Sequence, residues 1–281
     1  MMPGIGQTAT TKPSEEISMT QQPGLEAAAQ RLRELHQIGR PLLLVNVWDV
    51  TSARAVLAAG SPAIATSSVA MAAARDGSDN NRDRDAAFAQ LRQITSAVDV
   101  PVTADLEGGY DMVPQDLVSA LLAAGAVGCN IEDTDHSALD SLINAEAQAA
   151  YLAGIRSAAN NRGVNIVLNA RIDAIIRHPQ RDAAAALDEV LRRAALYIEA
   201  GVDCVYPISL RDPVLVGRVV GELQSPVNVN ASEPLSALAE AGAARISLGG
   251  GVHSWMTLEL EQRAKRLLAG DATAFTVSPE P

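Results

Sequence analysis

Four stretches of this chain, "LAAGSPAIATSS", "LAAGAVGCNIED", "IEAGVDCVYPIS" and "LAEAGAARISLGGG", repeat one order of residues. Each has an Ala-rich helical end, then Gly60, Gly125, Gly201 or Gly242, then a short apolar run, then polar residues. Glycine just past a helix takes the left-handed conformation that closes it, and an apolar run without alternation is a strand buried on both faces. The repeat therefore reads as the helix-to-strand joint of a parallel sheet.

Reading outward from the joints places strands near Leu42 to Val47, Ala63 to Thr66, Val102 to Asp105, Gly128 to Ile131, Val164 to Asn169, Cys204 to Pro207, Val227 to Asn230 and Arg245 to Leu248. With a helical pattern after each, roughly eight strands and roughly 250 ordered residues predict an α/β fold, the (β/α)8 TIM barrel. The competing open doubly wound sheet lacks a GxGxxG at its first helix. A leading helix, Leu25 to Ile38, would cap the barrel floor. One catalytic barrel over 25–273 is expected, with a disordered tail at 1–24, rich in Pro, Gly, Ser, Thr and Gln, and a C-terminal tail at 274–281. Met19 is a second candidate for the first residue.

Charge narrows the function. With 33 acids against 22 bases the net charge is -11, and no basic run could track a phosphate backbone, so nucleic acid is excluded as a partner. An anionic substrate must then be received locally, by a metal, an Arg or a helix N-terminus. Cys129 and Cys204 lie in apolar runs and read as core thiols of a reducing cytoplasm. No run has the length of a membrane span and no signal-peptide order opens the chain, so a cytoplasmic protein is expected.

In a barrel the active site lies at the C-terminal ends of the strands. Strand three ends in "TADLEGGYD", with Asp105 and Glu107 two residues apart. On a strand that spacing puts both carboxylates on one side, roughly 6.6 Å apart at the backbone. Like charges so placed resist ionising unless a cation lies between them, and Mg²⁺ suits oxygen ligands; the plainer reading is a solvated turn at Gly108-Gly109. The other ends deliver Asn46, Trp48 and Asp49; Thr66, Ser67 and Ser68; Asn130, Glu132 and Asp133; Asn169, Arg171 and Asp173; Ser209; Asn228 and Asn230; and Gly249 to Gly251. Singly each has a structural explanation: Asp49 can cap the next helix, and Asp173 can pair with Arg171. Together, acids from several strands and one Arg around a single mouth call for a cation and an anionic ligand.

Through "NVWDVTSA", "AIATSS", "PVTADLEGGY", "NIEDT", "NARIDA" and "PVNVNA", in order over roughly Pro41 to Ala269, the chain resembles the isocitrate lyase and phosphoenolpyruvate mutase superfamily. The resemblance implies Mg²⁺ (or Mn²⁺) held chiefly by Asp105, with Glu107 and Glu132 acting through waters and Asp76 of "ARDG" as a further acid. It implies that the Ser67-Ser68 turn and Arg171 grip the carboxylate of a pyruvate-like unit, with Trp48 and Asn230 among the substrate contacts and Asp49 near the reacting carbonyl. The reaction implied is that of a lyase or mutase on a small 2-oxo or 2-hydroxy carboxylate or phosphonate, through an enolate. An oxaloacetate-type acyl hydrolase and a non-catalytic metabolite-binding barrel are the alternatives. A homotetramer is implied as well, with the last barrel helix, "WMTLELEQRAKRLL", exchanged between subunits.

One loop departs from the superfamily. Its lyases carry a Lys-Lys-Cys-Gly loop after strand four, where this chain reads "TDHSALDSL", Thr134 to Leu142. His136 is the acid-base candidate there, expected to lie outside the metal shell, and cleavage of isocitrate or methylisocitrate is not expected. Gly249 to Gly251 stays open between a phosphate-holding turn and a packing turn.

Overall fold

The protein is described by a computed structural model covering residues 22–76, 83–138, 141–232 and 234–276. Helix α1 (Gln22–Glu34) leads into β1 (Leu42–Leu44) and β2 (Asn46–Val47), then α2 (Val50–Ala58), β3 (Ile64–Thr66), α3 (Ser68–Asp76), α4 (Arg84–Thr95), β4 (Val102–Asp105), α5 (Pro114–Ala123) and β5 (Gly128–Glu132). A hairpin of β6 (Thr134–Asp135) and β7 (Ser141–Leu142) precedes α6 (Ala145–Asn161), β8 (Val167–Ile172), α7 (Ala174–Arg177), α8 (Leu187–Glu199) and β9 (Cys204–Pro207). The chain continues through α9 (Pro213–Leu223), β10 (Asn228–Asn230), α10 (Leu235–Glu240), β11 (Arg245–Ser247) and α11 (Gly251–Leu268).

Among the described residues every strand ladder outside the antiparallel hairpin is parallel, and the one antiparallel contact beyond it is the isolated Gln37–Arg40 bridge. One sheet runs β2-β3-β4-β5-β8-β9 and the other β1-β11-β10. Expected strand one is divided at Val45 and belongs to both, and Val205 bridges to Val227 between β9 and β10. The strands thus follow one another in the order of the expected α/β barrel. Gly60, Gly125, Gly201 and Gly242 have φ of 90°, 82°, 91° and 94°, the left-handed closure that the repeat requires. At Gly242 a Cβ would also come within 2.8 Å of Val220 Cγ1, so that joint admits no larger residue without movement.

α1 closes the floor, with Ala29 and Leu32 fully buried. Arg33 Nε donates to Asp203 Oδ1 at 2.9 Å, Arg33 Nη2 to the Ile166 carbonyl at 3.1 Å, and Arg156 pairs with the same Asp203. These anchors explain a shift in strand five, expected at Val164 to Asn169. The carbonyls of Asn165 and Ile166 serve Arg33 on the floor, so the ladder starts at Val167 and runs on to Ile172. α1 begins at Gln22, inside the stretch expected as tail, and ends at Glu34, short of the expected Ile38. At the other end Ala274 is fully buried and its carbonyl accepts from Arg263 Nη1 at 3.0 Å, so 274 is tied to α11. Phe275 is exposed and the Thr276 amide donates to the Thr273 carbonyl, while residues 1–21 and 277–281 lie outside the described residues.

α11 has no buried residue, and its Trp255 is 65% exposed, with Leu258 and Leu260 also in solvent. Leu43 and Val45 of strand one are exposed too, on a strand face that a barrel helix ordinarily covers.

Candidate active site

The C-terminal strand ends surround a cavity of about 160 Å³ lined by Asn46, Ser67, Asp105, Asn130, Arg171 and Tyr206, among others. Register sets this out. Asp105 on β4 lies beside Asn130 on β5, and Glu132 on β5 lies beside Arg171 on β8. Partners in a parallel ladder project to the same side, so the acids and the Arg share one face.

Asp105 Oδ2 accepts from the Ser68 amide at 3.0 Å and the Ser68 hydroxyl at 2.8 Å, while Thr66 Oγ1 takes the Asp105 amide at 3.0 Å. Asp105 Oδ1 accepts no hydrogen bond among the described residues, which leaves it for a ligand in the cavity that Asp105 lines. Ser68, expected to grip substrate, therefore serves Asp105 here, and the Ser67 amide donates to the Val47 carbonyl. The Ser67 side chain is buried and remains on the cavity wall.

Arg171 is held on three sides. Its Nε and Nη2 make a fork to Asp173 at 2.7 and 3.0 Å, and its Nη1 meets Glu132 Oε2 at 2.5 Å. Burial opposes its charge, yet the carboxylates of Asp173, Glu132 and Asp105 hold the guanidinium more firmly protonated than usual. Asp173 is fully buried and also accepts from Thr134 Oγ1 at 2.5 Å, which ties the β6–β7 hairpin to Arg171. The stretch read as a loop is this hairpin, and in its described part His136 turns back so that Nε2 lies 2.6 Å from Glu132 Oε1. His136 was expected outside the metal shell; it touches one of the shell's expected carboxylates. An i,i+4 contact across a strand end and a turn is not visible in residue spacing.

Glu107 corrects the strand argument. β4 ends at Asp105, and Glu107 occupies the following turn with φ 53°, so strand alternation does not place it. It stays close to the other acids all the same. The Tyr110 hydroxyl is held well above its usual range, first by burial and then by the charges of Glu107, Asp105 and Glu132. Asp76 ends α3, and its side chain lies outside the described residues.

Trp48 and Asp49 line a neighbouring cavity of about 370 Å³, together with Val252, Trp255 and Met256. Asp49 is the N-cap of α2, accepting from the Ser52 amide at 2.7 Å and hydroxyl at 2.8 Å, and the Trp48 ring meets His253 edge-on at 5.0 Å. Asn230 stands behind the first cavity, donating to the Tyr206 hydroxyl at 2.9 Å and accepting from the Ser209 amide at 2.7 Å. Tyr206 itself was not singled out, because its ring inside the run "CVYP" reads as core. Asn130 was read at a strand end without a role; Asn46, whose plain reading is to satisfy loop amides, does so at the rim, taking the amides of Leu248 and Gly249 at 3.0 and 2.8 Å.

Among the described residues no three His, Cys, Asp or Glu side chains converge as a metal cage. The donor set fits a smaller demand. Mg²⁺ keeps several waters and takes one or two carboxylates, and Asp105 offers a single open oxygen beside two further acids.

The family model described as "Phosphoenolpyruvate phosphomutase" matches residues 32–268. The chain belongs to this family. The phosphoenolpyruvate phosphomutase fold is shared with a solved candidate phosphonomutase of Burkholderia cenocepacia J2315, 37% identical, with a TM-score of 0.80 over 86% of this chain and 99% of that one. A candidate lyase/mutase of the same organism is 29% identical, with a TM-score of 0.80 over 91% of this chain and 94% of that one. The 2-methylisocitrate lyase of Escherichia coli strain K12 is 25% identical over 178 residues, 58% of this chain and 57% of that protein. The superfamily read from the motifs is thereby borne out. This phosphoenolpyruvate phosphomutase family member is an enzyme of the lyase or phosphonomutase kind, and no helix among its described residues is long and apolar enough to cross a membrane.

Proposed function

We propose that this protein is a Mg²⁺- or Mn²⁺-dependent lyase or mutase that makes or breaks a C–C or P–C bond of a small 2-oxo or 2-hydroxy carboxylate or phosphonate through an enolate. The observation that carries the reading is the pairing, in one cavity of about 160 Å³, of Asp105 with its open oxygen and Arg171. Asp105 would hold the divalent ion, with Glu107 and Glu132 reaching it through waters, and the ion would supply Lewis-acid stabilisation of enolate charge. Asp76 is kept as a further acid of this shell. Arg171, fixed by Asp173, receives the substrate carboxylate, the Ser67 side chain borders the same pocket, and the Ser68 turn acts through Asp105. Tyr206 is a neutral donor: burial, first among its influences, holds its hydroxyl above the usual range. Trp48, Asp49 and Asn230 shape the surroundings, Asp49 as helix cap and Asn230 as the prop of Tyr206. His136 is the acid at the hairpin.

A turnover screen of 2-oxo acids, malates and phosphonates, with and without Mg²⁺, tests the reading. Metal-dependent turnover of one class is expected, with isocitrate and methylisocitrate left uncleaved, because the superfamily lyases' Cys is replaced and a positioned acid is commonly worth about 10²- to 10⁴-fold. Robust cleavage of either would contradict it. Binding without turnover of any class would favour the metabolite-binding barrel, and hydrolysis of oxaloacetate the acyl hydrolase.

We also propose a cytoplasmic homotetramer in which α11 lies on a second copy. The exposed apolar stripe of α11 and the exposed outer face of strand one, Leu43 and Val45, are complementary needs. Sedimentation at micromolar concentration is expected to give four subunits, and Leu258→Glu with Leu260→Glu a smaller species. A monomeric wild type would contradict the arrangement.

A further inference from the structure

Beneath the cavity floor Arg245 is, among the described residues, the largest fully buried side chain. Its Nη2 reaches Asn130 Oδ1 at 3.3 Å, while Nε and Nη1 have no partner among the described residues. Other buried polar atoms are open as well. Asn228 Nδ2 is one, on the residue directly beside Arg245 in the ladder. Thr103 Oγ1 is another, on β4 in register with Gly128, two residues before Asn130. Asn169 Oδ1 and His36 Nε2 are the open acceptors; His36 Nδ1 lies 2.8 Å from the Leu32 carbonyl and so carries the hydrogen.

A guanidinium out of water costs several kcal/mol unless an opposite charge accompanies it. Among the described residues no contact of Arg245 is to a carboxylate. Cys129 and Cys204 are within its electrostatic reach, but burial pushes both thiols up to about 12, so they stay neutral. Asp105 acts on it from a distance, and its Oδ2 is engaged by Ser68. Water would not settle the account, since each molecule brings as many hydrogens as lone pairs and leaves both the charge and the surplus of donors in place. An anion accepts from all of them.

We propose that the barrel interior below the active site binds a small monovalent inorganic anion, of chloride size, on Arg245 Nε and Nη1, with Asn228 Nδ2 and Thr103 Oγ1 as further donors. The bound anion neutralises Arg245 and so steadies Asn130, through which Arg245 touches the cavity floor. None of Arg245, Asn228, Thr103 or His36 lines that cavity, so the site is separate from the one that takes substrate.

The full-length protein, exchanged into sodium gluconate, is titrated with chloride from about 1 to about 100 mM at constant ionic strength. For millimolar binding the thermal midpoint is expected to rise by roughly 5 °C over that range, climbing with the logarithm of chloride once the site is filled. Crystals grown with sodium bromide are expected to show an anomalous peak in contact with Arg245. Arg245→Met should remove both effects; because that variant risks misfolding, Asn228→Asp, which brings a carboxylate to the site, should give a folded protein indifferent to chloride. Equal midpoints in the two salts, a water without anomalous signal at Arg245, or a bromide bound only elsewhere would each overturn the proposal.

Discussion

Arg171→Lys is expected to lower kcat/KM for the true substrate by about 10²- to 10³-fold, the usual loss when one group that stabilises developing negative charge is removed. A lysine keeps the charge but cannot reproduce the geometry. The guanidinium makes a fork to Asp173 and a further contact to Glu132, and a point-like ammonium on a flexible stem can satisfy only part of that. Asp173 is fully buried, so it would be left short of donors, and stability should fall by about 2–3 kcal/mol. Thr134 loses a correctly placed partner as well, which loosens the hairpin carrying His136. Steady-state kinetics on the substrate found by the screen, with unfolding curves on the same preparations, check both parts. A variant with near-wild-type kcat/KM would remove Arg171 from the substrate site.

How far the sequence carries depends on which physical constraint each residue answers to. The helix-to-strand joints were legible because the left-handed closure at Gly60, Gly125, Gly201 and Gly242 leaves glycine as the ready choice. Asp105, Glu132 and Arg171 were legible because a barrel delivers strand-end residues to one mouth whatever the loops do. Asp49 was legible as the cap of the next helix, which "DVTS" carries and the structure displays. Glu107 was misplaced because the end of a strand depends on the turn beyond it. Glu107, Tyr110 and Asp111 all have positive φ there, at 53°, 55° and 56°, and nothing in residue type announces three left-handed non-glycine residues in so short a stretch. Tyr206 escaped because an aromatic inside an apolar run looks the same whether its hydroxyl faces packing or a cavity. The hairpin after strand four escaped for a related reason: two short strands, Thr134–Asp135 and Ser141–Leu142, are too brief for alternation to show. The contact of His136 with Glu132 depends on that hairpin and was hidden with it.

The central claim is that Asp105 holds a divalent ion which, with Arg171, stabilises an enolate. Oxalate, a planar dianion resembling the enolate of pyruvate, tests it without knowledge of the true substrate. Calorimetry of oxalate binding to the wild type is expected to show tight binding in Mg²⁺ and little in a chelator, since two adjacent carboxylates need the metal to offset the acids around the cavity. In Asp105→Asn the Mg²⁺-dependent component should fall by at least about 10²-fold, because a neutral amide replaces the charged oxygen on which the ion depends. The Ser68 hydroxyl can still donate to the remaining amide oxygen, so the fold should persist. Oxalate affinity that is the same with and without Mg²⁺, or unchanged in a folded Asp105→Asn protein, would contradict the account.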